Sequence, residues 1–151
     1  MRTSFFAILA VASLAQCLPH SARAALGGPT TVVDATGAQL KLAVRQPSAA
    51  WRIQDATLLS GTVVHEYVAT LTGKVFAVSW RGPAMPDLKQ FLGDYYGRYQ
   101  TAAQTPVVRH RVVRVEAADL VIHSAGRMRD FAGQAWLPAQ LPAGFSLNDV
   151  Q

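Results

Sequence analysis

The stretch from Ser60 to Tyr99, SGTVVHEYVATLTGKVFAVSWRGPAMPDLKQFLGDYYGRY, decides how this chain folds. Thr62 to Thr70 is rich in Val, Thr and Tyr, which suit a pleated, half-buried surface. Alternation puts Val63, His65, Tyr67 and Ala69 on one face and Val64, Glu66 and Val68 on the other. Thr72-Gly73-Lys74 reads as a hairpin turn, since Gly73 can take a positive φ. Val75 to Trp80 is the return strand. Phe76, Val78 and Trp80 line its core face; Ala77 and Ser79, both small, line the other. Gly82, Pro83 and Pro86 stop the strand, because proline has no N–H to give to a ladder. Pro86 and Asp87 also suit a helix start. Leu88, Phe91, Leu92, Tyr95 and Tyr99 then follow at i, i+3, i+4, i+7 and i+11, one stripe of an amphipathic helix over 88–99. Such a helix needs an apolar surface to lie on, and the face carrying Phe76, Val78 and Trp80 supplies it.

The N-terminus reads as a processing signal. Arg2 precedes an apolar run from Phe5 to Leu18, and Ser21-Ala22-Arg23-Ala24 puts small residues at the −3 and −1 positions of a cleavage site. The run falls short of the roughly 20 residues that span a bilayer. The expectation is export and removal of residues 1–24. Leu14-Ala15-Gln16-Cys17 is close to a lipoprotein signal, but Gln16 is not the small residue that signal needs. Cys17 is the single cysteine of the chain, so the mature protein has none and holds together in an oxidising compartment without a disulfide. That excludes thiol catalysis and cysteine-bound metal or haem.

Losing Arg2 and Arg23 lowers the net charge from +5 to +3. The remainder is soluble, able to meet acidic surfaces, and too weakly basic to point to nucleic acid. It has length for one domain. Residues 25–50, with Gly27-Gly28-Pro29 and Pro47-Ser48-Ala49-Ala50, read as a loosely ordered N-terminal arm with strand-like pieces at Thr31–Asp34 and Leu40–Val44. Residues 51–151 form the domain: strands at Trp51–Leu59, Val107–Glu116, Leu120–His123 and Arg127–Trp136 join the central pair, with a turn at Ser124–Gly126. Leu137 to Gly144 leaves as an extended tail. The expected fold is α+β: an antiparallel sheet of about five or six strands with one amphipathic helix packed on one face.

Several of these residues fall in a familiar pattern. Ala25-Leu26-Gly27-Gly28, Ser60-Gly61-Thr62-Val63-Val64-x-Glu66-Tyr67, Trp80-x-Gly82-Pro83-x-Met85-Pro86-Asp87-Leu88, Asp119-Leu120-Val121, Met128-Arg129-x-Phe131-x-Gly133 and Leu137-Pro138-x-x-Leu141-Pro142-x-Gly144 together resemble the DUF2844 family. His65 stands where that pattern has arginine, and Ala125-Gly126 where it has two glycines. The resemblance implies a small exported proteobacterial protein of unassigned function, periplasmic or extracellular, and carries over no catalytic residue.

The residues themselves name few chemistries. His65, His110 and His123 lack the spacing of a compact metal motif, so neither a metal nor another cofactor is expected. Ser60 sits in a turn without a nucleophile elbow. Asp87 and Asp94 do not make a facing carboxylate pair, since Asp87 is committed to the helix start. No phosphate-binding glycine loop is present. The basic set stands out: Arg109 and Arg111 share one strand face and Arg127 and Arg129 another, with Arg114 close by. Arginine suits bidentate contacts with carboxylate or phosphate. Two readings follow. One is a non-catalytic exported module that binds an anionic envelope component or another envelope protein through Arg109, Arg111, Arg127 and Arg129. The other is a small hydrolase or isomerase with a pocket between helix and sheet, using His65, Glu66 or Tyr67.

Overall fold

A computed structural model of the chain describes residues 25–30, 39–104 and 112–150. The expected signal at 1–24, the strand-like piece at Thr31–Asp34, and Arg109 and Arg111 lie outside the described residues. Seven strands form one antiparallel sheet: β1 Gln39–Arg45, β2 Trp51–Leu58, β3 Val63–Ala69, β4 Val75–Gly82, β5 Val112–Glu116, β6 Val121–Arg127 and β7 Asp130–Trp136. Their order is β1-β2-β3-β4-β7-β6-β5. Two meanders therefore meet where β4 pairs with β7, and the helical segment crosses between them.

This corrects the expected fold class. Among the described residues the protein is β-rich, with seven strands rather than five or six, and apart from short 3-10 turns at Pro138–Gln140 and Leu147–Asp149 its helical content is one short segment of 16 residues. Nor is that segment one helix. α1 (Leu88–Leu92) ends in a 3-10 turn over Gly93–Tyr95, and α2 (Tyr96–Ala103) follows. Asp87 caps α1, its carboxylate accepting from the Lys89 and Gln90 N–H groups at 3.0 and 3.4 Å. The break falls at Gly93, whose φ of +54° favours glycine and whose missing Cβ leaves room for Ala25.

Both faces of the sheet carry apolar clusters. On the first, Val64, Val68, Val78, Trp80, Ile122 and Ala135 pack with Leu88, Phe91, Leu92, Leu120 and Leu26. Residues 25–30 are tied in by backbone bonds, Leu26 N–H to Phe91 O and Gly27 N–H to Val75 O. On the second face, Trp51, Ile53, Tyr67, Phe76, Ala77 and Trp136 pack with Leu141, Phe145 and Val150. The segment after β7 thus folds back over the sheet. Phe145 meets Phe76 edge-on at 4.8 Å and Trp51 at 5.2 Å, and Tyr67 donates its hydroxyl to Asp149 O at 3.2 Å.

Phe76 departs from its expected face. Tyr67 pairs with Ala77 and Val68 with Val75, so Phe76 is an extra residue in β4. Such a bulge breaks the alternation of sides. Val78 and Trp80 stay in the cluster with α1, while Phe76 joins the other face under Phe145.

The turn expected at Ser124–Gly126 is also displaced. β6 runs through to Arg127 and the chain turns at Met128–Arg129, with Arg129 at φ +60°. Gly126 is there for packing: a Cβ on it would lie 2.6 Å from the ring of its cross-strand partner Phe131. Gly133 serves the same purpose beneath Trp80, where a Cβ would lie 2.3 Å from Cζ2. Trp80 and Gly133 are paired across the β4–β7 junction, so the largest buried ring lies over a glycine and the two meanders close tightly.

Candidate functional site

The second face is only half covered. The C-terminal segment lies over the row containing Ile53, Tyr67, Ala77 and Trp136. Two residues along each strand, the next row is polar. Register places Asp55 (β2), His65 (β3), Ser79 (β4), Gln134 (β7), His123 (β6) and Arg114 (β5) side by side. Since residues two apart share a face, Arg81, Ala132, Ala125 and Val112 form the row after that.

Between these rows lies a depression of about 340 Å³. Its floor is shallow because Ser79, Ala125 and Ala132 are small. Arg81, Arg114, Val112, His123 and Gln134 stand higher around it. The cavity straddles the β4–β7 junction, so the tertiary pairing of the two meanders builds it.

Charge is arranged at both ends of the polar row. Arg45 grips Asp55 with two hydrogen bonds, Nε to Oδ2 at 2.6 Å and Nη2 to Oδ1 at 3.0 Å. His65 Nδ1 meets the same Oδ1 at 2.6 Å. Burial pushes the Asp55 carboxyl up, but the hydrogen bonds from Arg45 and His65 outweigh it and hold Asp55 below its ordinary value. This fixes the imidazole of His65 through Nδ1 and leaves Nε2 on the far side of the ring. At the other end, Glu116 accepts from or pairs with His123 Nε2 at 3.2 Å and lies 3.5 Å from Arg114 Nε. The His123 ring stands edge-on to Trp136 at 5.3 Å. Arg81 and Arg127 make no ion pair among the described residues.

The sites expected from sequence are distributed unevenly. Arg127 ends β6 on the same face as Ala125 and so stands beside the depression. Arg129 sits at the turn tip and does not share a strand face with it. His65 belongs to the polar row. Tyr67 is on the same face but fully buried beneath the C-terminal segment, and Glu66 is buried on the opposite face. His65, Glu66 and Tyr67 therefore line no common pocket. Burial alone raises the Glu66 carboxyl to about 7. Arg81, Gln134 and Ser79 were not among the expected site residues. Ser79 and Arg81 do continue the small, non-core side of β4, which was a readable signal, but Gln134 needed the strand order. Among the described residues no three of His, Cys, Asp and Glu gather as a metal-ligand set, and no helix is long and apolar enough to cross a membrane.

Chemically, the depression offers guanidinium forks, an imidazole and an amide, which suit an anionic group with polar neighbours. Residues 22–150 match the family described as protein of unknown function (DUF2844). The chain belongs to this family. No curated protein matches the DUF2844 chain, and no solved structure does.

Proposed function

We propose that this DUF2844 protein is an exported, non-catalytic binding module of the cell envelope, and that the depression across β4 and β7 takes an anionic group of its partner. One observation carries the reading: a small-floored hollow of about 340 Å³ is rimmed by Arg81 and Arg114, and Arg81 is left without an ion pair among the described residues. A guanidinium held at the edge of a hollow, with an amide and an imidazole beside it, can give a carboxylate or phosphate two parallel hydrogen bonds. Export is supported by the positive start at Arg2, the apolar run from Phe5 and the Ala22-x-Ala24 site.

The test begins with protein recovered from the periplasm, whose intact mass should start at Ala25. It is then titrated against anionic glycans, phospholipid vesicles and acidic peptides at two salt concentrations. Binding should appear at low salt and weaken at physiological ionic strength, where exposed charges are screened over roughly 8 Å. Arg81→Ala and Arg114→Ala should each weaken it by about tenfold, as for loss of one charged hydrogen bond. Arg98→Ala, whose guanidinium is engaged by Asp119 elsewhere on the molecule, should not. If nothing anionic binds at low salt, or the two variants bind like the parent, the reading fails.

A further inference from the structure

We infer that the partner is a linear acidic polysaccharide that crosses the strands and is recognised as a chain. This rests on the anionic-group reading above and adds the ligand's class and its path. The antiparallel register aligns Arg114, His123, Gln134, Ser79, His65 and Asp55 in one polar line perpendicular to the strands. Six strands at about 4.8 Å spacing make that line about 24 Å long, enough for several sugar rings. Arg45 extends it onto β1.

The chemistry of the line changes along its length in a way that suits a repeating glycan. The Gln134 amide can both give and take hydrogen bonds, as sugar hydroxyls require, and each imidazole presents the ring nitrogen that its carboxylate does not engage. Arg81, on the same face, makes no ion pair among the described residues and suits a uronate carboxylate. Of the carboxylates on this face, Asp55 and Glu116 each have an arginine beside them, Arg45 and Arg114, and Asp130 stands opposite Arg127 across the β6–β7 pair. The ends are open. The side chains of Arg114 and Arg45 are 66% and 46% exposed, so a chain can run past either one. Along one side the line is bordered by the covered aromatic row, where Phe145 occupies the apolar surface that a lipid chain would otherwise reach.

The experiment is calorimetric titration of the exported protein with oligogalacturonates from the disaccharide to the octasaccharide at low salt. Affinity should rise at least about tenfold from disaccharide to hexasaccharide, the worth of one further charged contact. His65→Ala should bring the hexasaccharide down to nearly the disaccharide's affinity and leave the disaccharide, held at Arg81 and Arg114, unchanged. Arg45→Ala, at an exposed position, is the second variant of the far arm should His65→Ala fail to fold, and unchanged melting curves qualify each. Arg81→Ala should weaken both lengths. Equal affinity for short and long fragments, with Arg81→Ala still weakening both, overturns the chain-recognition inference and leaves the anionic-group reading standing. No effect of Arg81→Ala at any length overturns the anionic-group reading itself. Preference for phosphatidylglycerol vesicles over the hexasaccharide assigns the surface to a membrane and likewise overturns the inference.

Discussion

Replacing Glu66 with glutamine should stabilise the protein, and only above mildly acidic pH. Glu66 is 6% exposed on the face of β3 that carries Val64 and Val68. Its cross-strand neighbours on that face are Gln54 and Val78. No cation contributes to its ionisation; burial alone lifts it from its ordinary 4.5 to about 7. A carboxyl whose folded value is raised binds its proton more tightly in the folded state. Below about 4.5 both states are protonated and Glu66 costs nothing. As pH rises towards 7 the unfolded chain ionises first, and stability falls until the folded carboxyl ionises as well. At about 1.36 kcal/mol per pH unit, a rise from 4.5 to about 7 is worth about 3 kcal/mol. Glutamine mimics the neutral acid and cannot ionise. Like the neutral acid, it can donate to the side-chain oxygen of Gln54, which is buried and has no hydrogen-bond partner among the described residues. Urea unfolding of parent and Glu66→Gln at closely spaced pH values between 4 and 8.5 gives the difference curve, which cancels every other titrating group. The curve should be near zero at pH 4, rise through pH 5–7 and level off near 3 kcal/mol in favour of the variant. A flat difference, or a variant less stable than the parent at pH 8, would refute the argument and mean that Glu66 ionises in contact with something that stabilises its charge.

Two other substitutions probe the packing on either face. Gly133→Ala puts a methyl 2.3 Å from Trp80 Cζ2 and should cost about 1–3 kcal/mol by urea unfolding. Combining it with Trp80→Leu should remove the part due to the ring and leave the part due to the His123 carbonyl oxygen, 2.8 Å from the same methyl; fully additive losses would show that the ring is not the obstacle. Phe145→Ala removes the ring that meets Trp51, Tyr67 and Phe76. Because Phe145 is only half-buried, the cost should be about 2 kcal/mol, below the 3–5 of a fully buried phenylalanine. Limited proteolysis should then clip the C-terminal segment first, and an unchanged digestion pattern would show that Phe145 does not hold it.

How much of this was legible in the sequence depended on the range of the interaction involved. Local chemistry read well: the β3–β4 hairpin, the stop at Gly82-Pro83 and the helix start at Pro86-Asp87 each rest on a few neighbouring residues. The errors came where distant residues decide. The stripe from Leu88 to Tyr99 reads as one helix because its spacing is regular, but the break at Gly93 is matched by Ala25 packing against it. Gly126 reads as a turn because glycine permits one; it lies within a strand because Phe131, on the facing strand, fills the space its side chain would take. The bulge at Phe76 leaves no mark in the alternation, since Val75, Phe76, Ala77 and Val78 are all apolar and all buried. Only the aromatic patch of Trp51, Tyr67 and Phe145 gives Phe76 a reason to change sides.

The candidate site follows the same logic one level higher. Each of its side chains is an unremarkable polar residue on its own strand, and none announces a function by spacing. What gathers them is the junction of β4 with β7, which brings Ser79 and Arg81 beside Gln134 and Ala132, more than fifty positions away in sequence. The uneven coverage of the second face then decides which row remains open. The segment after Trp136 covers the aromatic row through Leu141, Phe145 and Val150, and Asp149 O accepts from the Tyr67 hydroxyl. The covering segment lies on the apolar row, and the polar row beside it holds the hollow of about 340 Å³, where a partner has room to bind.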